Sequence, residues 1–466
     1  MKLATLREQR FARTHLAQVR HITLDPQGPG VLRLHLVPPR AGRAVSRAVP
    51  YVLILNGQDV LPLGLSWAVL LANFMDALEP FAGKEIEPGQ WEGLIAQALE
   101  ATRRVYPRMK PEALRGELRR MLGALEALAR GEEPGEEVGL ISLGDYAPYM
   151  AAPHRMDLMV SAMAKGGAWN CNQKCLHCYA AGQPVGEAAE LSGEDWVRVL
   201  QKCREAGIPQ VTFTGGEPTL RPDLVRLVQE AQWFVTRLNT NGRLLTPELC
   251  SRLYEASLDS VQVTLYSADA AVHNTLVGAP GFEDTQAGIR NALAAGLNLS
   301  INTPLCSLNR DYTATLRFAC GLGVRYVTCS GLIPAGGALT RGSAATRLEP
   351  AGLEGILREA AAFCAANGME LSFTSPGWLP AETLLGLGLP SAPTCGAALS
   401  NMAVAPDGTV VPCQSWLSGP GLGNILTDPW HKIWNSPRCA QIRAESAKME
   451  HICQLRGQAG KEVERP

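Results

Sequence analysis

Short apolar segments alternate with helical segments six times in the middle of this chain of 466 residues. One helical segment, 192–206, begins at Ser192 with Asp195 three residues later, which is typical of a capped helix start. Strand-then-helix units repeated in this way imply a parallel sheet. The pattern predicts an α/β fold, either a partial (β/α)6 barrel or an open doubly wound sheet of the same periodicity. The strand candidates are 158–164, 210–214, 234–240, 260–266, 298–304 and 325–330, and a second helical candidate is 282–295.

Two regions of different character flank this core. The first contains strand candidates followed by three helical patterns, the last with Pro111 in its first turn. We expect an N-terminal α+β region over 1–150, a βα core over 151–375 and a small cysteine-containing C-terminal extension over 376–466. The N-terminal elements are predicted at 31–37, 50–55, 66–80, 89–105 and 111–130, before an acidic stretch at 132–137 that is typical of a solvated break.

The charge balance argues against several classes of function. The net charge is −1 and the isoelectric point about 6.7, so no basic excess indicates nucleic acid. No apolar run approaches the roughly 18 residues of a membrane helix. The first 15 residues lack the apolar segment of a secretory signal and are predicted to form an ordinary solvated helix. We therefore expect a cytoplasmic protein that binds neither nucleic acid nor membrane. Among its 13 cysteines, the clustered ones are expected to bind metal rather than form disulfides.

Three of the cysteines, Cys171, Cys175 and Cys178, are clustered in the stretch CNQKCLHC. This stretch follows the first strand candidate, and the functional loops of βα barrels follow the C-terminal ends of strands. Thiolates spaced C-x3-C-x2-C can ligate three irons of a cubic iron–sulfur cluster and leave the fourth iron open. On the residues alone, a zinc site completed by His177 and a set of three buried thiols remain alternatives.

The stretch CNQKCLHCY resembles the CxxxCxxC signature of the radical S-adenosylmethionine (radical SAM) enzymes, and the resemblance covers about 155–335. It implies a [4Fe-4S] cluster on Cys171, Cys175 and Cys178. In that family the amino and carboxylate groups of S-adenosylmethionine chelate the fourth iron. His177 matches a position that lies near the adenine.

Further stretches resemble family motifs in the expected order. The run Gly215-Gly216-Glu217-Pro218 follows the second strand candidate and matches the GGE motif that contacts the methionine amino group. Glycines let the backbone approach a ligand, and a carboxylate accepts hydrogen bonds from an ammonium. Without the resemblance, the same run also fits a simple turn.

The ends of the next three strand candidates complete the implied cofactor site. Thr240 and Asn241 belong to a stretch that resembles the TNG motif beside the cofactor. Ser267 matches a position that often bonds the ribose, and Asn302 is placed to do likewise. For Thr240 a turn cap is the alternative role.

The resemblance also implies an activity. One electron from a reduced cluster, supplied by a donor such as a flavodoxin or a ferredoxin, cleaves S-adenosylmethionine to methionine and a 5′-deoxyadenosyl radical. That radical takes a hydrogen atom from the substrate. The protein's task is to position the reactants and to exclude water.

The C-terminal cysteines resemble part of a second iron–sulfur module. Cys395 and Cys413 flank a predicted hairpin with Asp407-Gly408 at its turn, as at the opening of the SPASM and twitch extensions. The full set of SPASM cysteines is absent, which excludes two complete auxiliary clusters. One cluster on Cys395, Cys413, Cys453 and an unidentified fourth ligand, or a degenerate extension without a cluster, both fit. Cys439, in a helical pattern, is predicted to be a buried thiol.

Members with such extensions mostly modify peptides or protein side chains, so the resemblance implies a ribosomally made peptide as substrate. A small molecule in cofactor or natural-product biosynthesis is the alternative, and a non-catalytic iron–sulfur electron carrier or sensor is a remote one. For residues 1–150 we weigh leader-peptide binding by strand addition against a stabilising or dimerising role.

Overall fold

The computed structural model describes residues 2–24, 32–39, 51–56, 59–81, 84, 86–129, 143–449 and 451–456. These residues divide into two compact units. The first comprises the described residues up to Ala152 together with Arg204–Pro209 and Trp233–Val235, and the second comprises the remainder. The boundaries expected at 150/151 and 375/376 stay predictions.

The first unit is a four-stranded antiparallel sheet with helices. Its strands pair in the order β1-β2-β3-β4, with Leu36 of β2 opposite Leu53 of β3 and Leu53 opposite Leu61 of β4. The elements are α1 (Lys2–His15), β1 (Arg20–Leu24), β2 (Leu32–Val37), β3 (Tyr51–Leu55), β4 (Asp59–Leu63), α2 (Leu65–Leu78), α3 (Trp91–Val105), α4 (Pro111–Ala129) and α5 (Leu143–Tyr146).

Most N-terminal elements were predicted within about two residues, and two strands were not predicted at all. Strand β1 and strand β4 are new, and β4 contains Pro62, which removes a strand donor. Helix α1 is not simply solvated, because Ala12 is buried in the same core as Leu36 and Leu53. The predicted break at 132–137 lies outside the described residues.

The second unit is built on a ten-stranded sheet in the order β13-β12-β11-β10-β9-β8-β5-β14-β15-β16. Its elements are β5 (Arg155–Ser161), β6 (Ala164–Lys165), β7 (Ala168–Trp169), α6 (Gly193–Ala206), β8 (Gln210–Gly215), α7 (Leu224–Glu230), β9 (Val235–Thr240), α8 (Pro247–Glu255), β10 (Ser260–Thr264), α9 (Ala270–Val277), α10 (Phe282–Ala294), β11 (Leu299–Pro304), α11 (Tyr312–Gly321), β12 (Tyr326–Ser330), α12 (Arg341–Ala344), α13 (Pro350–Ala366), β13 (Glu370–Phe373), α14 (Ala381–Gly386), β14 (Asn401–Val404), β15 (Thr409–Val411), β16 (Gly423–Asn424), α15 (Trp430–Trp434) and α16 (Pro437–Lys448).

The predicted α/β core with a large parallel sheet is confirmed. All six predicted strands are present, although β5 begins three residues before the predicted 158. The sheet gains β13 at one edge, and β14 joins β5 in parallel, with Ala403 opposite Asp157. Among the described strands, the edge strands β13 and β16 do not pair with each other, so the sheet does not close on itself. The (β/α)6 core is therefore a partial barrel extended on both sides.

Local sequence explains several element ends. The amide of Asp195 donates to the Ser192 hydroxyl at 3.1 Å, as the predicted cap requires. The hairpin predicted around Asp407-Gly408 joins β14 to β15, and Gly408 has a φ of 88°, a conformation that favours glycine. Within the described ranges, the helices are all too short or too polar to cross a lipid bilayer.

Candidate functional site

The loop that carries Cys171, Cys175 and Cys178 is held by backbone hydrogen bonds to distant segments. The amide of Lys174 donates to the carbonyl of Val277 at 2.9 Å, at the end of α9. At the other end of the cysteine loop, the amide of Gly337 donates to the carbonyl of Cys178 at 2.8 Å. The fold therefore sets the shape of this loop before any cofactor binds.

The three loop thiols are close enough to influence one another electrostatically. Burial raises the pKa of Cys171 to about 12 and raises the pKa of both Cys175 and Cys178, and neighbouring thiolates raise those of Cys171 and Cys175 further. Such thiols ionise only beside strong positive charge, and iron supplies it. The half-buried trio thus fits an iron–sulfur cluster.

The zinc alternative finds no support in the geometry. In the part of the chain that the structure describes, no three His, Cys, Asp or Glu side chains are placed to hold a single metal ion. The His177 ring bonds instead through Nε2 to the Thr346 hydroxyl at 2.7 Å. Its Nδ1 is buried without a hydrogen-bond partner among the described residues, and His177 belongs to the cavity lining.

The Gly215-Gly216 turn lies against the end of β5, where only glycine fits. Gly215 has a φ of 128°, and a Cβ atom there would lie 2.2 Å from the Ser161 carbonyl oxygen. A Cβ on Gly216 would lie 2.8 Å from the carbonyl oxygen of Ala162. The Gly216 carbonyl is 3.4 Å from the Cys171 sulfur. Close packing therefore brings the turn to the cysteine loop.

The Glu217 carboxylate joins two of the predicted cofactor motifs. Its Oε1 accepts from the Thr240 hydroxyl at 2.6 Å and from the Thr219 amide at 3.0 Å, and its Oε2 accepts from the Asn241 amide at 2.8 Å. Burial raises the pKa of Glu217, and the bonds from Asn241, Thr219 and Thr240 oppose that rise. Pro218 begins the short helical turn Pro218–Leu220 that supplies Thr219.

Asn172 ties the cysteine loop to the same network. The side-chain Nδ2 of Asn241 donates to Asn172 Oδ1 at 2.6 Å, and Arg243 Nη1 donates to the Asn172 backbone carbonyl at 2.7 Å. Arg243 is itself held by Asp284 through an ion pair of 3.0 Å. These contacts, which the sequence motifs did not predict, connect the cysteine loop with the ends of β8 and β9.

The cysteine loop and the ends of the neighbouring strands border a cavity of about 500 Å³ in the second unit. The lining includes Asn302, whose Oδ1 accepts from the Thr328 hydroxyl at 2.9 Å. Ser267 and Pro218 are not among the lining residues, and the Ser267 hydroxyl accepts from the Asp269 amide at 3.0 Å. The predicted site residues that line the cavity are Cys171, Cys175, His177, Cys178, Gly215, Gly216, Glu217, Thr240, Asn241, Asn302, Cys395, Cys413 and Cys453.

The C-terminal cysteines converge on the other part of this cavity. The thiols of Cys395 and Cys453 are hydrogen-bonded to each other, and Cys413 interacts electrostatically with both. Burial raises the pKa of Cys413 to about 12. Cys439 is fully buried away from the cavity lining, as predicted, with Arg443 Nη1 at 3.6 Å from its sulfur. Three thiols thus fit an auxiliary cluster.

Several lining residues were missed at the sequence level. Arg155, Asp157, Thr212, Arg237 and Asn239 lie on strands β5, β8 and β9 and line the cavity. The available signal was their spacing: on each strand, polar residues two positions apart share one face.

Two protein-family profiles match the chain. The radical SAM superfamily matches residues 170–319, and SPASM, described as an iron–sulfur cluster-binding domain, matches residues 395–455. The first match contains the cysteine loop and the second contains the C-terminal trio.

Curated proteins with similar sequences have varied names. An AdoMet-dependent heme synthase of Methanosarcina barkeri is 33% identical over 40% of this chain and 54% of that protein. A probable GTP 3′,8-cyclase of Methanopyrus kandleri is 37% identical over 29% of this chain and 45% of that protein. The chain thus spans about half the length of these two relatives. A PqqA peptide cyclase of Streptomyces rochei is 29% identical over 61% of this chain and 78% of that protein.

Solved structures share the fold at low sequence identity. SuiB of Streptococcus suis, bound to its precursor peptide SuiA, has a TM-score of 0.57 at 13% identity and covers 85% of this chain and 87% of that chain. The native anSMEcpe structure with bound AdoMet has a TM-score of 0.51 at 17% identity, over 62% of this chain and 82% of that chain.

Proposed function

We propose that this chain, which carries a radical SAM domain and an iron–sulfur cluster-binding SPASM domain, cleaves S-adenosylmethionine reductively and uses the 5′-deoxyadenosyl radical to abstract hydrogen from a ribosomally made peptide. One observation carries this proposal: Glu217, Asn241 and Asn172 join the implied cofactor motifs to the cysteine loop at one cavity. A plain electron carrier has no use for that connection.

The residues have distinct roles in this proposal. Cys171, Cys175 and Cys178 would hold a [4Fe-4S] cluster, which supplies the electron that breaks the sulfonium bond when bound. The buried carboxylate of Glu217 and the close backbone at Gly216 favour an ammonium group beside the cluster loop.

Other lining residues would bind the nucleoside part of the cofactor. His177 belongs to the cavity lining and its Nδ1 has no partner among the described residues, so the ring is suited to the adenine. Thr240 and Asn302 lie at or near the ends of their strands and offer polar groups for the ribose. Ser267 is engaged by the Asp269 amide, so its proposed ribose contact would require a hydroxyl that donates while it accepts.

The trio Cys395, Cys413 and Cys453 would hold one auxiliary cluster in the same cavity. Its fourth ligand is unassigned. The 13 free thiols of the chain support a reducing compartment, so we place the enzyme in the cytoplasm, with a flavodoxin or ferredoxin as its electron donor.

Two comparisons support a peptide substrate. The PqqA peptide cyclase is matched over most of its length, and SuiB, whose fold this chain shares, was solved with a precursor peptide. The N-terminal unit has two edge strands, β1 and β4, to which an extended leader peptide could add. A stabilising or dimerising role for this unit is the alternative.

A small-molecule substrate is the second candidate function. It is favoured by the names of the two relatives that are more than 30% identical, a heme synthase and a GTP cyclase. A short peptide encoded beside this gene and changed in mass by the enzyme would decide for the peptide.

The test of the core activity is anaerobic reconstitution with iron and sulfide, followed by an assay for 5′-deoxyadenosine with dithionite as reductant. We expect the product from the wild-type protein and none from the C171A/C175A/C178A variant. Cys320→Ala, which removes a partly exposed cysteine in α11, is the matched control and should retain the activity. Product from the triple variant, or none from the wild type, would refute the proposal.

A further inference from the structure

The floor of the cavity is formed by strand residues that precede the implied cofactor motifs. It is polar, and the proposed cofactor chemistry does not use it. Alternate residues of a strand share one face. The cavity-lining face of the sheet carries one such residue on each of four strands, namely Arg155 on β5, Thr212 on β8, Arg237 on β9 and Gln262 on β10. In the barrels of most βα proteins the interior is filled by bulky aliphatic side chains. A polar interior is costly to bury unless a ligand or water satisfies it.

Several polar atoms on these strands have no hydrogen-bond partner among the described residues. Thr212 Oγ1, Asn239 Oδ1 and Asp157 Oδ2 are buried without a hydrogen bond. Asp157 lies opposite Thr212 on the neighbouring strand, so these two unsatisfied groups are adjacent. Unsatisfied groups on adjacent strands of one cavity wall offer hydrogen bonds to ordered water or to a polar ligand.

The charges on this wall do not balance. Asp157 forms an ion pair with Arg155, with Nε 3.0 Å from Oδ1. Arg237 has no hydrogen bond or ion pair to any residue that the structure describes, and the charged groups that influence its pKa are Arg155, Asp157 and Asp259. Asp259 is turned to the β9 backbone, accepting from the Thr236 amide at 2.7 Å. The floor therefore holds two guanidinium groups, Arg155 and Arg237, and one carboxylate, Asp157.

Arg237 remains a cation at neutral pH. Burial, together with the charge of Arg155, lowers the pKa of Arg237 to about 10.

The position of Arg237 is also informative. It precedes Thr240 by three residues on β9, which corresponds to about 10 Å along a strand. A group bound at Arg237 would leave room for the reacting residue between it and the cofactor.

We propose that Arg237, with Arg155 beside it, binds a carboxylate of the substrate at the floor of the cavity. This inference rests on the proposed function and deepens it, because it assigns the substrate class as a peptide with an anionic group next to the reacting residue. That group is either an acidic side chain or the C-terminal carboxylate of the peptide. Guanidinium groups match carboxylates in geometry as well as charge.

The test is affinity selection with mass spectrometry on the full-length reconstituted protein. The probes are three pools of acetylated pentapeptides whose flanking residues are random but uncharged: a central Glu with an amidated end, a central Gln with an amidated end, and a central Gln with a free C-terminus. We expect the wild type to retain one or both anionic pools at least about tenfold more than the neutral pool. Which anionic pool is retained identifies the source of the carboxylate.

Variants of Arg237 test the assignment. R237Q should abolish the preference, R237K should keep part of it because the charge remains, and the exposed Arg358→Gln should keep all of it. If Arg237 serves binding, R237Q should melt at or above the wild-type temperature, since a partly desolvated cation without an ion-pair partner opposes folding. Equal retention of all pools by the wild type, a preference that persists in R237Q, or a lower melting temperature for R237Q would overturn the proposal. A wild type that binds anionic pools but yields no 5′-deoxyadenosine would instead contradict the proposed function alone.

Discussion

The hydroxyl of Thr240 donates a hydrogen bond of 2.6 Å to the carboxylate of Glu217. Glu217 follows β8 and Thr240 ends β9, so this bond connects two neighbouring strands at their C-terminal ends. The same carboxylate accepts from the Asn241 amide. A single buried acid thereby fixes two segments that the sequence motifs identified separately.

We predict that Glu217→Gln weakens both stability and cofactor binding. The variant amide would place an N–H group against one of the donors that now face the carboxylate, which costs about 1–3 kcal/mol of unfolding free energy. It also removes the negative charge proposed to face the ammonium of S-adenosylmethionine. Chemical denaturation and equilibrium binding of S-adenosylmethionine measure the two effects. Glu248→Gln, at an exposed position in α8, is the control and should change neither; wild-type behaviour of E217Q would contradict the assigned role.

A second prediction concerns Gly336, which touches the cysteine loop. Its φ is 54°, and an added Cβ would lie 2.3 Å from the Tyr179 carbonyl oxygen and 2.6 Å from that of Cys178. Gly336→Ala should therefore displace Cys178 and lower the iron bound on reconstitution, measured per chain. Gly342→Ala meets no atom within 4 Å and should bind iron normally. Equal iron contents in the two variants would show that the loop tolerates the shift.

The third prediction counts iron. If Cys395, Cys413 and Cys453 hold an auxiliary cluster, the wild type should bind about eight irons and their triple Ala variant about four. Cys439→Ala is a matched control, because this thiol is buried beside Arg443 and does not line the cavity. About four irons in the wild type would mean that the extension holds no cluster.

Local patterns sufficed for the core strands and many helix starts. The alternation of β8 through β12 with helices follows from residues close together in the chain, and so does the cap formed by Ser192. The pairing of β14 with β5 joins residues more than two hundred positions apart, as in Ala403 opposite Asp157. No local pattern specifies such a partner, because several strands offer similar edges.

The same distinction holds within the candidate site. The cysteines, the Gly215-Gly216 turn and Glu217 stand in contiguous motifs, so the sequence identified them. Arg237 was not predicted, because its importance depends on the absence of a carboxylate bonded to it among the described residues. That property emerges only when neighbouring strands are assembled. Likewise, the engagement of Ser267 by Asp269 depends on loop geometry rather than residue type.

The last prediction concerns pH and the first unit. His35 in β2 is fully buried; its Nε2 is 3.1 Å from the Trp233 carbonyl oxygen, and its Nδ1 has no partner. Burial lowers the pKa of His35 to about 3, although the Trp233 carbonyl opposes the shift. In the unfolded chain the pKa is about 6.5. Below that pH the unfolded state binds a proton that the folded state does not, so acid destabilises the fold.

His35 alone should account for a loss of about 1.4 kcal/mol per pH unit between roughly pH 6.5 and pH 3, and stability should be fully regained above pH 6.5. His21, whose pKa burial also lowers, to about 2, should add a loss in the same direction. Hydrogen exchange of the β2 amides, corrected for the intrinsic rate, should therefore show protection that falls by at least about tenfold per pH unit. His35→Gln should reduce this dependence by about tenfold per pH unit, because glutamine does not titrate. His15→Gln, at an exposed position in α1, should leave it unchanged. A slope in H35Q as steep as in the wild type would show that His35 does not contribute, and would leave His21, whose ring centroid lies 4.7 Å from that of His35 at a tilt of 36°, as the titrating group.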